Sequence, residues 1–357
     1  MSKVLRIGIL APPSISLVNG GVRTQVSQTA EALQRLGHKI VWIQSNEPFP
    51  SIDILHVFVA SSEHWGLLRQ LNSSPRLSGN GRTPIVLSPV FFAPKHIQTT
   101  KFKLSAESVV GKVFNGISSE YGIKKQICHL ADIILPNTRA EQNQINQLFD
   151  IPVDRMQVIP NGVETRFMQT ESGEFEQRYG LKDFVLFVGQ ASSTRKNILR
   201  LLEIAPSLDA PLVVIGDFGN DAYSQKCLDV IKEHNVVHLP TLEHHSSLLA
   251  SAYAAAKVFV LPSLFETPGI AAMEAALSGC AIVITENGGT KEYFKDMASY
   301  INPINTEELR ASINELLGTD VGQLKAQNAQ LRDHILTHYS WDTVGSMSLA
   351  AYESLLR

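Results

Sequence analysis

The chain reads as an α/β protein made of two doubly wound, Rossmann-like parallel-sheet domains, and three observations carry that reading. Its 357 residues are about twice the size of a typical domain. It opens on a strand–helix–strand pattern, and a similar opening begins again at Phe184. Short apolar runs alternate with helical patterns along most of the chain. That alternation suits parallel strands buried on both faces beneath covering helices.

The elements follow in order. Residues 4–10 give the first strand, and a loop through Pro12 and Pro13 leads to Gly20-Gly21. A helix over 22–36 ends at Gly37, and 39–43 form the next strand. Adjacent glycines let a backbone approach a ligand closely, and the helix start beyond them favours anions. Glycines also simply make turns. Further strands are expected at 54–59, 84–87, 132–135 and 156–159. Between the middle two, Lys95, Lys101, Lys103, Lys112, Lys124 and Lys125 interleave with Phe91, Phe92, Phe102 and Phe114, opposed only by Glu107 and Glu120. Such a segment suits an anionic membrane surface or an anionic acceptor. A solvated helical face with a few core aromatics is the plainer alternative. Asn161-Gly162 is a turn signal and the polar stretch 170–178 reads as a linker. The domains are therefore placed at 1–165 and 175–339, with 340–357 a separate final helix.

The second domain opens with a strand at 184–189, a loop at 190–195 and a helix from 196. Arg195 and Lys196 add charge to the anion site that backbone N–H groups make at such an entrance. Strands at 212–216 and 236–239 follow. His244-His245 is read as a solvent-facing pair at a helix entry, because adjacent side chains point in different directions. Residues 258–285 then run strand, loop, helix, strand, with Thr267 as N-cap and Pro268 in the first helical position. Asn287-Gly288-Gly289-Thr290 stands at the next strand mouth and offers N–H groups to a phosphate. Helices are expected at 306–317 and 321–338. The last, from Ser340-Trp341-Asp342, carries Val344, Met347, Leu349 and Tyr352 as its apolar positions.

Composition excludes several classes. A net charge of −3 lacks the basic excess of a nucleic-acid binder. Three widely spaced cysteines, Cys128, Cys227 and Cys280, show neither metal spacing nor a disulfide pattern, which suits a reduced compartment. No apolar run reaches the roughly 18 residues of a membrane span, and the N-terminus enters strand pattern at once. The expectation is a cytoplasmic protein, with peripheral contact at the inner face of the membrane as its one membrane option. No Asp-x-Asp motif occurs, so the sequence does not require a bound metal, and no cofactor is expected.

Two carboxylates organise the second domain. Glu266 lies at the carboxyl end of an expected strand, where ligands of parallel sheets collect. Glu274, eight residues on, falls between Ile270, Met273 and Leu277 on the following helix, with alanines on the other faces. A carboxylate so packed must be paired or hydrogen-bonded. Taken singly, a loop cap or ion pair explains Glu274, and solvent explains Glu266. Together they suggest two groups that hold a polyol.

The stretch Phe265-Glu266 through Met273-Glu274-Ala275-Ala276-Leu277-Ser278-Gly279 resembles the E-x7-E signature of retaining, nucleotide-sugar-dependent glycosyltransferases of the family 4 type, which have the GT-B fold. Ala131 to Thr138 and Val158 to Glu164 resemble two further landmarks of that family. The usual Gly-Phe-Gly after the first Glu is replaced by Thr267-Pro268-Gly269. The resemblance implies two domains facing across a cleft, with the final helix returning to the first. It places Gly20 and Gly21 against the donor diphosphate and acceptor, and Lys196, helped by Arg195, on the diphosphate. Gln190 stands where the family has an Arg. Glu266 is assigned to the donor-sugar hydroxyls and Glu274 to the ribose. Pro268, Gly269, Ile270, Gly289 and Thr290 are placed around the donor, and Leu239 and Thr241 at the base. Ser88 occupies the place of a family His, with Phe91 and His96 as further acceptor-side candidates.

The function so implied is retaining transfer of a sugar from a nucleotide diphosphate sugar to a glycan, lipid-linked or small-molecule acceptor, in cell-surface or polysaccharide biosynthesis. The missing His keeps open a non-catalytic partner that binds nucleotide sugar; a third reading is a sugar-nucleotide epimerase on the same fold. A glycosidase using Glu266 and Glu274 ranks below these, because it leaves the basic helix entrances without a role.

Overall fold

A computed structural model describes residues 3–16, 20–44, 47–73, 82–92, 97–111 and 119–356. The chain divides into two compact units, Met1–Gly162 with Trp341–Arg357, and Val163–Ser340.

The first unit holds a parallel sheet in the order β2-β1-β3-β4-β5. Its strands are β1 (Arg6–Leu10), β2 (Lys39–Trp42), β3 (Ile54–Phe58), β4 (Ile85–Ser88) and β5 (Ile133–Ile134). Residues 156–159, expected as a strand, make only one bridge, Met156 to Ile134. Gln157 and Ile159 donate to the backbone of Ile134 and Pro136, which is a loop laid along the sheet edge. The helix Trp341–Leu355 packs on Gly21–Arg35, close enough that a Cβ on Gly345 would stand 2.7 Å from that of Ala32.

Beneath that helix a polar chain crosses the core. Tyr352 Oη lies 2.6 Å from His56 Nδ1, and His56 Nε2 lies 2.9 Å from Ser88 Oγ. All three residues are buried. Burial pushes the His56 imidazole down to about 3, so the ring is neutral, donating to one hydroxyl and accepting from the other.

The described lysines of the basic-aromatic segment lie on the helices Ile97–Gly111 and Glu120–Leu130. Lys101 and Lys125 pair with Asp150, and Lys124 with Glu120. Phe91 is core, whereas Phe102 is 76% exposed. Lys95, His96, Lys112 and Phe114 lie outside the described residues. Among the described residues, no helix is long and apolar enough to cross a membrane.

The second unit holds a six-stranded parallel sheet, β11-β10-β9-β6-β7-β8. Its strands are β6 (Phe184–Val188), β7 (Leu212–Ile215), β8 (Val237–Leu239), β9 (Ala256–Leu261), β10 (Ala281–Thr285) and β11 (Ser299–Ile301). The chain winds outward from β6 to β8, then returns to β9 and winds the other way. The order therefore reverses between β6 and β9, which is where ligands of such sheets bind. The stretch read as a linker contains the helix Gly173–Tyr179, fixed by fully buried Phe175, whose N–H donates to Ser251 Oγ at 2.9 Å.

Candidate functional site

The loops after β6, β9 and β10 meet at that reversal. Backbone bonds lace them together: Leu264 donates to Arg195 (2.8 Å), Glu266 to Asn287 (3.1 Å) and Gly289 to Glu266 (2.9 Å). Gly288 is required there. Its φ is +104°, and a Cβ would fall 1.9 Å from the Glu266 carbonyl oxygen.

Glu266 is 5% exposed, and three donors converge on its Oε1. Lys196 Nζ lies at 2.6 Å, Ser263 Oγ at 2.7 Å and Arg195 Nη1 at 3.0 Å. Arg195 also donates to the Phe265 carbonyl at 3.0 Å and lies over the Phe265 ring. Burial pushes the Glu266 carboxyl up, but Lys196 and Arg195 outweigh it and hold the group below the usual carboxylate range. Burial lowers the Lys196 ammonium, against the pull of Glu266. Two cations face one carboxylate, so the cluster keeps a positive charge for an anion.

The backbone corrects three expectations. The helix after Glu266 starts at Ile270, not Pro268, and its N-cap is Gly269 at φ +74° with no side-chain cap bond, so Thr267 does not cap it. Gly289, expected to offer its N–H to phosphate, gives it to Glu266, and Thr290 turns its hydroxyl to the Thr285 carbonyl at 2.8 Å. At the Lys196 entrance, the amides of Lys196, Asn197 and Leu199 are bonded to Ser193, Thr194 and Tyr223. Those three amides are therefore engaged within the fold, and Lys196 and Arg195 bring side-chain charge to the entrance.

Glu274 is buried, and both its oxygens are engaged: Tyr253 Oη donates to Oε2 at 2.8 Å and His244 Nε2 lies 2.8 Å from Oε1. His244, expected in solvent, is half-buried, and its Nδ1 stands 3.2 Å from Glu164 Oε1. The expectation holds for His245, whose side chain is 74% exposed. Sequence reading missed His244 because its partners lie 30 residues ahead and 80 behind. His56 left a better signal, a lone imidazole in the otherwise apolar strand ILHVF.

The remaining candidates are scattered. Gln190 is exposed on the loop after β6. Thr241 and Asp217 bond each other reciprocally at 2.9 and 3.1 Å, and Leu239 accepts from Gly216, which ties the loops after β7 and β8. In the first unit Gly20 is the N-cap of Gly21–Arg35 with extended φ, and a Cβ there would meet open space, so the local fold does not demand glycine. Ser88 is held by His56. Phe91, expected to face an acceptor, is 2% exposed against Phe149 and Tyr121, because the buried Glu141 carboxylate accepts its N–H and pulls the loop inward.

Residues 169–332 match the Glycosyl transferases group 1 family. The MMP alpha-(1->4)-mannosyltransferase of Mycolicibacterium hassiacum is 23% identical over 66% of this chain and 57% of its own length. Three curated relatives are each spanned over only 56–59% of their length. Among solved structures, sucrose-phosphate synthase from Thermosynechococcus elongatus aligns with a TM-score of 0.77 at 15% identity, over 99% of both chains. Anabaena HepE, solved with UDP and glucose, gives 0.71 at 16% identity, over 98% of this chain and 100% of its own. At such identities the likeness is one of fold, and the fold is GT-B.

Proposed function

We propose that this chain, which carries a Glycosyl transferases group 1 domain over residues 169–332, is a retaining glycosyltransferase using a nucleotide diphosphate sugar. The observation that carries this reading is the buried Glu266 carboxylate shared by Lys196 and Arg195 at the reversal point of the second sheet. In the reaction the bond between the sugar's anomeric carbon and the diphosphate oxygen breaks as an acceptor hydroxyl oxygen bonds that carbon on the same face. The acceptor's proton leaves with the diphosphate. Lys196 and Arg195 meet the charge developing on the leaving group, a role that pre-organised cations fill well because little reorganisation is needed. The helix start at Gly269–Ile270 adds N–H groups beside it. The donors to Glu266 gather on Oε1, so Oε2 is assigned to the sugar hydroxyls, and Glu274 to the ribose. UDP in the Anabaena relative's structure supports a nucleotide ligand. The acceptor is a glycan, lipid-linked or small-molecule hydroxyl.

The test is incubation of the purified protein with a panel of nucleotide sugars, with and without cell-derived acceptors, following released nucleoside diphosphate and sugar products. Acceptor-dependent release with the anomeric configuration kept is the expected result. Binding without turnover would instead favour a non-catalytic partner, and rearrangement without acceptor an epimerase.

A further inference from the structure

His244 sits between two carboxylates in a way that fixes its charge. Nε2 is 2.8 Å from Glu274 Oε1, and Nδ1 is 3.2 Å from Glu164 Oε1. A neutral imidazole has one N–H and one lone pair, so it can satisfy only one of these oxygens and must turn a lone pair on the other. Glu164 Oε1 is buried and makes no hydrogen bond among the described residues, so what it gains from Nδ1 at 3.2 Å is an attraction of charge that only an imidazolium supplies. Around the ring, Arg166 donates to Glu164 Oε2 at 2.9 Å and to the His244 carbonyl. Tyr253 serves the other oxygen of Glu274, and His245 stands 3.8 Å from Glu164 on the solvent side. Counted as charges, Glu164 and Glu274 balance Arg166 and His244 only when His244 is protonated.

We propose that His244 is the positioning residue for Glu274: hydrogen-bonded to it through Nε2 and drawn to Glu164 on its Nδ1 side, it holds that carboxylate for the nucleotide's ribose and makes nucleotide binding depend on one proton. This rests on the reading that Glu274 faces the ribose. Burial pulls the His244 imidazole down, but Glu274 and Glu164 outweigh it against the opposition of Arg166, and the group ends above its ordinary value. The sign follows. The imidazolium is present at and below the ordinary imidazole range and is lost as pH rises through the raised value. Above it, Nδ1 turns a lone pair on Glu164, the ring loses its second anchor, and Glu274 keeps its charge without a compensating cation. Affinity and stability therefore both fall with rising pH.

The experiment is titration of UDP, GDP and ADP into the full chain between about pH 6 and pH 9, for the natural protein, His244→Gln and His245→Ala. The natural protein is expected to bind its preferred nucleotide about tenfold more weakly at the top of that range. His244→Gln keeps a neutral donor to Glu274 but has nothing to titrate. It should bind weakly throughout and lose the fall, while His245→Ala keeps it. The nucleotide's own phosphate gains charge above about pH 6 and acts in the opposite direction, so the difference between natural protein and His244→Gln is the reading. The profile should be the same with a chelator present; a fall abolished by chelation would assign the site to a metal ion and overturn the proposal. An affinity in the natural protein that rises with pH, as the nucleotide's own ionisation alone requires, overturns it even if His244→Gln does not fold, and leaves the proposed function standing. Failure of every nucleotide to bind removes both.

Discussion

Two histidines, one in each unit, are both drawn out of water, and their pKa values shift in opposite directions. His56 in the first unit lies between two hydroxyls, those of Tyr352 and Ser88, and burial drives it to about 3. His244 in the second lies between two carboxylates and is raised. Burial alone lowers both, so the partners decide. The difference extends beyond the rings. Around Ser88 the first unit buries a neutral chain that ties the helix Trp341–Leu355 to its own sheet. The second buries Glu266 beside Lys196 and Arg195, and Glu274 beside Tyr253 and His244, at the place assigned to the nucleotide sugar. In the first unit the buried carboxylate, Glu141, is met by the backbone N–H groups of Phe91 and Asn137, whereas in the second Glu266 is met by the side-chain cations Lys196 and Arg195.

Removing charge from the second unit should cost the most. Lys196→Ala leaves Glu266 with Arg195 and Ser263 and cancels the positive excess of the cluster. Turnover with the donor found in the panel should fall by about 10²–10³, as when other pre-organised charge stabilisers are removed. Unchanged turnover would take Lys196 out of the chemistry and erase the contrast just drawn. Cutting the neutral chain comes next. Tyr352→Phe deletes one hydroxyl and leaves His56 Nδ1 buried without a partner, which costs about 1–3 kcal/mol. Melting should come earlier, while nucleotide affinity of the folded protein stays as it was. A changed affinity would mean that the first unit's polar chain is more than structural.

Glu274→Gln sharpens the comparison within the second unit. The amide keeps the shape but gives up the charge that balances His244, and it must turn a donor toward Tyr253 or His244. If the ribose contact is made equally in ground and transition states, the donor KM should rise by about tenfold with kcat little changed. If Glu274 only braces its neighbours, the variant melts early and its folded fraction binds nucleotide normally. Melting curves beside nucleotide titrations separate the two.

How much of this was legible depended on distance along the chain. The two parallel-sheet units could be read because apolar runs and helical periodicity are local. The pair Glu266 and Glu274 could be read because one strand, loop and helix carry both. The failures are tertiary. Thr267 looked like an N-cap, yet Gly269 takes that place at φ +74°, and the Gly289 amide went to the backbone of Glu266. Residues 156–159 have strand composition but meet only the edge of a two-residue strand. Adjacent histidines carry no sign that one of them will find Glu164 and Glu274. Phe175 in a polar stretch was the readable exception, since a lone aromatic among charges seeks a core.

The smallest effect belongs to the exposed counterpart of the Tyr352 hydrogen bond. Arg35 and Asp342 pair at 2.8 Å between the helices Gly21–Arg35 and Trp341–Leu355, with side chains 49% and 75% exposed. Water solvates both groups when they part, salt screens them, and ordering two side chains costs entropy, so such pairs are worth less than about 1 kcal/mol. Asp342→Ala should therefore leave the melting temperature nearly unchanged, and raised salt should move it no further. The same helix gives up the Tyr352 hydroxyl at a larger cost because nothing replaces a donor or acceptor at a buried ring nitrogen. Comparing the two variants in one buffer isolates burial as the variable. If Asp342→Ala destabilises as much as Tyr352→Phe, the returning helix is held from its surface, and the buried neutral chain is not what fastens it.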